Sequence, residues 1–227
     1  MTPLFKTHFS IGKSILTPKR CFELAKDLEE VVFVEDSFGG FRKIKVLSEK
    51  FDKPFRWGIR LNCSYADNKA SKIILFAKDN KGMEDLREIY SRAQTKSGVW
   101  KYNKASLKNL LLCVPFYDSY VHKSLHHFGI YDLPLNDHIH LVEEHSHPYD
   151  YQIKRALDRL GVETQPAHTV LYEFDKHFEE FQFYKSVTHR KGGRPPNRGR
   201  PELDDCGSNL FSWQNYEKQI EKSRTDS

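Results

Sequence analysis

SKIILFAKDNKGMEDLREIYSRAQ, residues 71–94, is the stretch on which the fold turns. KIILFAK (72–78) is an apolar run of strand length. In NKGMEDLREIYSRAQ (80–94), Met83, Leu86, Tyr90 and Ala93 recur at the spacing of one helix face. A strand that feeds straight into an amphipathic helix is one βα unit. Working outward, the same alternation continues on both sides. Upstream, Thr17-Pro18 opens a helix as N-cap and first helical residue. VVFVED (31–36) is a buried strand ending in two carboxylates, and Phe41, Ile44, Leu47 and Phe51 mark a second helix after Gly39-Gly40. FRWGIRLNC (55–63) is a further strand. Downstream come a strand in LLLCVPF (110–116), a helix in DSYVHKSLHHFG (118–129) closed by Gly129, and a strand in HIHLVEE (138–144). DYQIKRALDRLG (150–161) is a helix with Ile153, Leu157 and Leu160 inward, followed by a short strand near 162–168 and an aromatic-rich helix, EFDKHFEEFQFYKSV (173–187). This pace predicts an α/β fold of βα units around a parallel sheet or barrel.

The composition agrees with a globular chain: 38% hydrophobic, 13% aromatic and 30% charged over 227 residues, enough for one large α/β domain or two small ones. Lys plus Arg is 36 against 31 for Asp plus Glu, a net +5 that permits a polyanionic partner without requiring one. Cys21, Cys63, Cys113 and Cys206 form no C-x-x-C pair and read as buried reduced thiols. No apolar leader and no 18-residue apolar span is present, so the expectation is a cytoplasmic protein with no membrane role.

LFKTHFSIGKSIL (4–16) carries two competing motifs. Gly12-Lys13-Ser14 ends like a phosphate-binding loop, but the glycine that such a loop needs falls on Thr7 and no long apolar strand feeds it. Lys6-Thr7-His8 looks instead like a metal motif short of one histidine.

Together FKTHFS, FVEDSFGG, FRWGIRL, SKIILFAKDNKGMEDLREIYSRAQ and LVEEHSHPYDYQIKRALDRLGVETQPAHTVLY follow an order that resembles the PHP domain (polymerase and histidinol phosphatase type) of the bacterial DNA polymerase III α subunit. The resemblance implies a PHP-like (β/α)7 distorted TIM-type barrel, placed over 1–187; the Gly, Pro and Arg content marks a basic loop over 188–202, and the amphipathic stretch after it a C-terminal strand or helix appendage over 203–227. In active members, histidines and carboxylates at the strand ends hold two or three metal ions for phosphoester hydrolysis. Carried over residue by residue, most of that set is altered. The first motif, H-x-H in the family, gives Lys6 and His8; the turn motif gives Asp36 and Ser37; the strand glutamate falls on Arg60; and the last motif falls near Thr169 and Leu171. The remaining ligand candidates are His8, Asp36, and His145 or His147. An ammonium and a guanidinium pointed into such a site repel divalent ions, and lost carboxylates remove the charge that hard cations need. Lys6 and Arg60 can instead pair with Asp36 or Glu35, replacing metal with salt bridges. No cofactor is therefore expected, with manganese or zinc at a residual site as the alternative.

Four further features bear on function. His138 and His140 share a strand face beside Glu143, Glu144, His145 and His147, a grouping that suits zinc or reads as a solvated strand end. His122 and His126 lie one turn apart but lack the glutamate of a zinc-protease helix. RKGGRPPNRGRP (190–201) places Arg190, Lys191, Arg194, Arg198 and Arg200 around an Arg-Gly-Arg-Pro core like that of an AT-hook, which lies along narrow minor grooves. Phe174, Phe178, Phe181 and Phe183 are too many for one helix face, so part of that group reads as a docking surface.

The leading expectation is a catalytically degenerate PHP domain, a structural or interaction module in DNA replication or repair. Its expected partner is a replicative DNA polymerase or another replisome protein, with DNA contact through the basic loop. The sequence stops short of any thumb, palm or fingers region of such a polymerase. A small, site-eroded copy also suits a viral genome, which places the protein in a host cytoplasm. The alternatives are a metal-dependent phosphoesterase using His8, Asp36 and the His138–His147 cluster, and a DNA-binding protein acting through the AT-hook-like loop.

Overall fold

The computed structural model describes residues 1–65, 69–96, 98–126, 133–145, 147–188 and 207–225. In chain order the elements are β1 (Thr2–Phe5), α1 (Pro18–Leu24), β2 (Val31–Glu35), α2 (Phe41–Phe51), β3 (Phe55–Ser64), β4 (Ser71–Ala77), α3 (Asn80–Lys96), β5 (Val99–Lys101), β6 (Leu110–Val114), α4 (Tyr120–His126), β7 (Ile139–Val142), α5 (Pro148–Leu160), β8 (Thr164–Val170), α6 (Phe178–Thr188) and α7 (Trp213–Thr225). Two compact units are present: Met1–Arg56 with Glu144–His147 and Ala167–Ser227, and Trp57–Glu143 with Pro148–Pro166.

In the first unit β1 lies between β2 and the end of β8, parallel to both, with Leu4 opposite Val32 and Thr169. All five residues of β2 are buried, as a run without alternation requires when both faces are covered. Phe33 contacts Phe5, Phe22 and Phe55, and Trp213 of α7 stacks on Phe5 at 5.5 Å, so the C-terminal helix is part of this core. The expected start of α1 is realised: the Thr17 hydroxyl accepts from Arg20 N at 3.2 Å and Pro18 follows it. The aromatic helix starts later than expected. A 3-10 turn over Asp175–His177 precedes α6, where Phe181 is buried while Phe183 and Val187 are exposed.

In the second unit β4 separates β3 from β6 and runs antiparallel to both, which corrects the all-parallel expectation. Only six residues, 65–70, join β3 to β4, too few for the crossover helix that a parallel partner demands. Strand β7 pairs parallel with β6, and the start of β8 pairs parallel with β7. Strand β5, which the sequence reading missed, adds three residues parallel to β3. Three residues carry too little alternation to be seen.

Helix α3 presents Leu86, Ile89 and Ala93 to the core, while Met83 and Tyr90 are half-buried. The cause lies in its first turn. Asp79 caps the helix by accepting from Gly82 N at 2.7 Å, and Gly82 packs so closely that a Cβ there would lie 2.2 Å from the Asn109 carbonyl oxygen. That close approach turns the buried stripe onto Gly82, Leu86, Ile89 and Ala93. Leu160 is 43% exposed rather than inward, because α5 ends there and Gly161 adopts φ 62°.

The hydrogen-bonded strand order is β2-β1-β8-β7-β6-β4-β3-β5, and β2 also pairs with β3. Seven strands thus return on themselves with β5 outside the ring, the strand connectivity of a distorted β/α barrel. No helix among the described residues is long and apolar enough to cross a membrane.

Candidate functional site

The parallel register of β1 on β2 sets Phe5 beside Phe33, so the residues that follow each strand emerge together. Lys6 is 3% exposed, and its ammonium lies 2.6 Å from Asp36 Oδ1. The salt bridge expected of Lys6 is therefore made with Asp36. The neighbouring carboxylate, Glu35, is fully buried and satisfied by the same loop: Thr7 N donates to Oε1 at 2.9 Å and the Ser10 hydroxyl donates to Oε2. Ser10 Oγ in turn accepts from Asp36 N at 2.9 Å. Burial pushes the Glu35 carboxyl up to about 6, against the opposing pull of Ser10, Thr7 and the Lys6 charge. Ser14, the last residue of the GKS motif, is buried with its hydroxyl 2.6 Å from the Lys6 carbonyl and 2.8 Å from that of Leu171. It ties loop to strand and faces no phosphate site.

The other candidates in this unit are engaged in the same structural way. His8 Nδ1 lies 3.1 Å from the Leu16 carbonyl, and its ring stacks on Phe9. The Ser37 hydroxyl accepts from Gly39 N in its own turn. Thr169 sits on β8 opposite Leu4, and Leu171 is buried. His145 is buried, with Nδ1 3.2 Å from the Leu210 carbonyl and its ring stacked on Phe211 at 3.7 Å. His147 lines a cavity of about 290 Å³ with His145, Phe178 and residues 207–210. The sequence reading passed over His168. It is fully buried, 4.7 Å from the His145 ring, with Nε2 3.1 Å from the Ser212 carbonyl. The two imidazoles together hold the segment leading into α7. Its only sequence signal was the histidine in TQPAHTV, one residue before the position assigned to the last motif.

In the second unit Arg60 donates to the Tyr117 carbonyl at 2.9 Å. The expected histidine cluster is held by tyrosines: Tyr102 Oη lies 3.1 Å from His138 Nε2, and Tyr120 Oη 3.1 Å from His140 Nε2. His122 Nδ1 accepts from Asp118 N at 3.0 Å, while Asp118 also pairs with Lys123. Burial raises the Cys21 thiol and pushes the Cys63 thiol up to about 12, so both are inert buried thiols. Arg190, Lys191, Arg194, Arg198, Arg200 and Cys206 lie outside the described residues, as do His127 and Gly129.

Among the described residues no three His, Cys, Asp or Glu side chains gather where they could hold a metal ion. A hard divalent ion needs several negative or neutral oxygen and nitrogen donors facing one point. Here a buried ammonium sits on Asp36, and backbone groups occupy the nearest ring nitrogens of His8 and His145. This donor set does not fit the two or three ions that the resemblance implies.

No protein-family model and no curated protein matches the chain. Among solved structures it is similar to an assigned metal-dependent phosphoesterase from Bifidobacterium adolescentis, at 18% identity over 41% of this chain and 34% of that one, with a TM-score of 0.32. It is also similar to an amidohydrolase from Chromobacterium violaceum with bound sulfate, at 18% identity over 41% of this chain and 36% of that one, with a TM-score of 0.28. The chain thus spans about a third of the length of the structures it matches.

Proposed function

We propose that this chain is a catalytically degenerate PHP-like module, similar to that of the polymerase III α subunit, that serves as a structural or interaction partner in DNA replication or repair. The observation supporting this reading is the ammonium of Lys6 seated 2.6 Å from Asp36, where the family pattern calls for a histidine beside a metal-bound carboxylate. One fixed positive charge there does what a metal would do for the strand ends: it holds β1 and β2 together at their termini. It supplies no Lewis acid and no bound hydroxide. Exposed Phe183 and Val187, one turn apart on α6, offer an apolar contact for a partner protein.

The test is metal content by mass spectrometry after the full chain is exposed to manganese and zinc and then dialysed. The expected result is a folded protein without stoichiometric metal. About two or more ions per chain, lost in Asp36→Ala and His8→Ala, would replace this reading with that of a metal-dependent phosphoesterase. The replication role is read separately, by gel filtration of the chain with a purified replicative polymerase of the same family. Failure to co-elute counts against that role and leaves the metal result standing.

A further inference from the structure

Residues 90–117 of the sequence contain Arg92, Lys96, Lys101, Lys104 and Lys108 and no acidic residue. Structurally it surrounds β5. Tyr102 N donates to the Ser64 carbonyl at 2.8 Å as the chain leaves β5, which brings Tyr102 beside Tyr65 at the end of β3. Four aromatic rings meet there: Tyr65 packs edge-on to Tyr102 at 6.2 Å, Trp100 to Tyr102 at 5.9 Å, and His138 to Tyr102 at 6.2 Å. Trp100 is buried and anchors the group, whereas Tyr65 is 45% exposed. Tyr102 is held in place through its hydroxyl, 3.1 Å from His138 Nε2. Burial lowers the His138 pKa, which keeps that imidazole neutral and able to accept the bond. Beside the rings Lys104 is exposed, and its charge acts on the Tyr102 hydroxyl. Lys104 pairs with Asp137 at 3.1 Å, but both side chains stand in solvent, and such pairs are readily given up to a stronger anion.

Rigid, partly exposed aromatic faces bordered by lysines are what non-sequence-specific single-strand binders present: bases stack on the rings and phosphates meet the cations. We propose that the Tyr65–Tyr102 face of the second unit binds single-stranded nucleic acid, with Tyr65 as the stacking platform and Lys104 as a phosphate contact. A duplex keeps its bases stacked inside and cannot use the platform. The site is separate from the salt-bridged strand ends and does not depend on how they are read.

The experiment is fluorescence anisotropy of a labelled oligo-dT of about twelve nucleotides, within the site sizes such surfaces use, titrated with the full chain over a series of salt concentrations. A duplex of equal length and the Arg198→Ala/Arg200→Ala variant run in parallel, which isolates any contribution of residues 190–201. Tyr65→Ala is expected to weaken oligo-dT binding about tenfold, within the range that loss of one base stack gives, and Tyr65→Phe to restore it. Lys104→Gln should lower the log–log salt slope by about 0.7. Melting curves establish that each variant is folded. The proposal is overturned by a folded Tyr65→Ala that binds like the wild type. Loss of binding only in the Arg198/Arg200 variant overturns it equally, as does the absence of saturable binding tighter than about 0.1 mM at low salt.

Discussion

Replacing Asp36 by asparagine isolates the contact on which the functional reading rests. The Lys6 side chain is 4% exposed and that of Asp36 35%. Removing one partner of a fully buried ion pair costs about 3–5 kcal/mol, because the other charge is left without compensation. Here water reaches the Asp36 side and hydrates part of the stranded ammonium, so the cost falls to about 2–3 kcal/mol. For a chain of this size, that is a drop of roughly 5–10 °C in melting temperature. Lys6→Met keeps the length of the side chain, removes the charge and leaves Asp36 facing solvent, at about 1 kcal/mol or less. The double variant should then resemble Lys6→Met alone, giving a coupling energy of about 2 kcal/mol. Thermal and urea unfolding of the four proteins measure this cycle. If Asp36→Asn loses less than about 0.5 kcal/mol, or the two losses simply add, the pair does not hold the strand ends in place of a metal.

Glu35 makes a pH prediction whose sign runs opposite to that of an ordinary salt-bridged carboxylate. Its folded pKa of about 6 stands above the usual 4.5, so the folded state binds the proton more tightly than the unfolded one. Stability is therefore favoured by Glu35 at low pH and falls as pH rises from about 4.5 through 6, by about 2 kcal/mol in all. Glu35→Gln should flatten that part of a stability–pH curve; an unchanged slope means another group carries it. Gly82→Ala tests the packing that orients α3. Alanine is the better helix former by about 1 kcal/mol, yet its Cβ would press on the Asn109 carbonyl, which also accepts from Lys78 N at 3.1 Å and cannot easily retreat. A net loss of about 2 kcal/mol in urea unfolding is expected, and a stabilised variant would show that the contact yields.

Much of the local structure was legible because it is encoded locally. Thr17-Pro18 specifies a helix start through one hydroxyl and one ring, and VVFVE and IILFA are strands because such runs can only be buried. Lys6, Ser37 and Arg60 were singled out only through the family resemblance, which local residue patterns alone do not supply. What the sequence left open were relations between distant residues. The direction of β4 follows from the shortness of its link to β3, yet the apolar run itself reads alike in either direction. The buried stripe of α3 turns on a glycine meeting a carbonyl 27 residues away (Gly82, Asn109). His138 and His140 looked like ligands because they alternate on one strand, but tyrosines from two other segments complete their hydrogen bonds. His168 was unremarkable until the fold set it against His145.

Periodicity, caps and residue identities were thus settled by the chain itself, since each depends on neighbours within a few positions. Only the tertiary structure decided which charge meets which: Lys6 and Asp36 are 30 residues apart, His145 and Leu210 are 65 apart, and no local pattern records such distances. A side chain becomes a metal ligand, a salt-bridge partner or a structural clamp according to what the fold brings within about 3 Å of it, the range over which hydrogen bonds and ion pairs act.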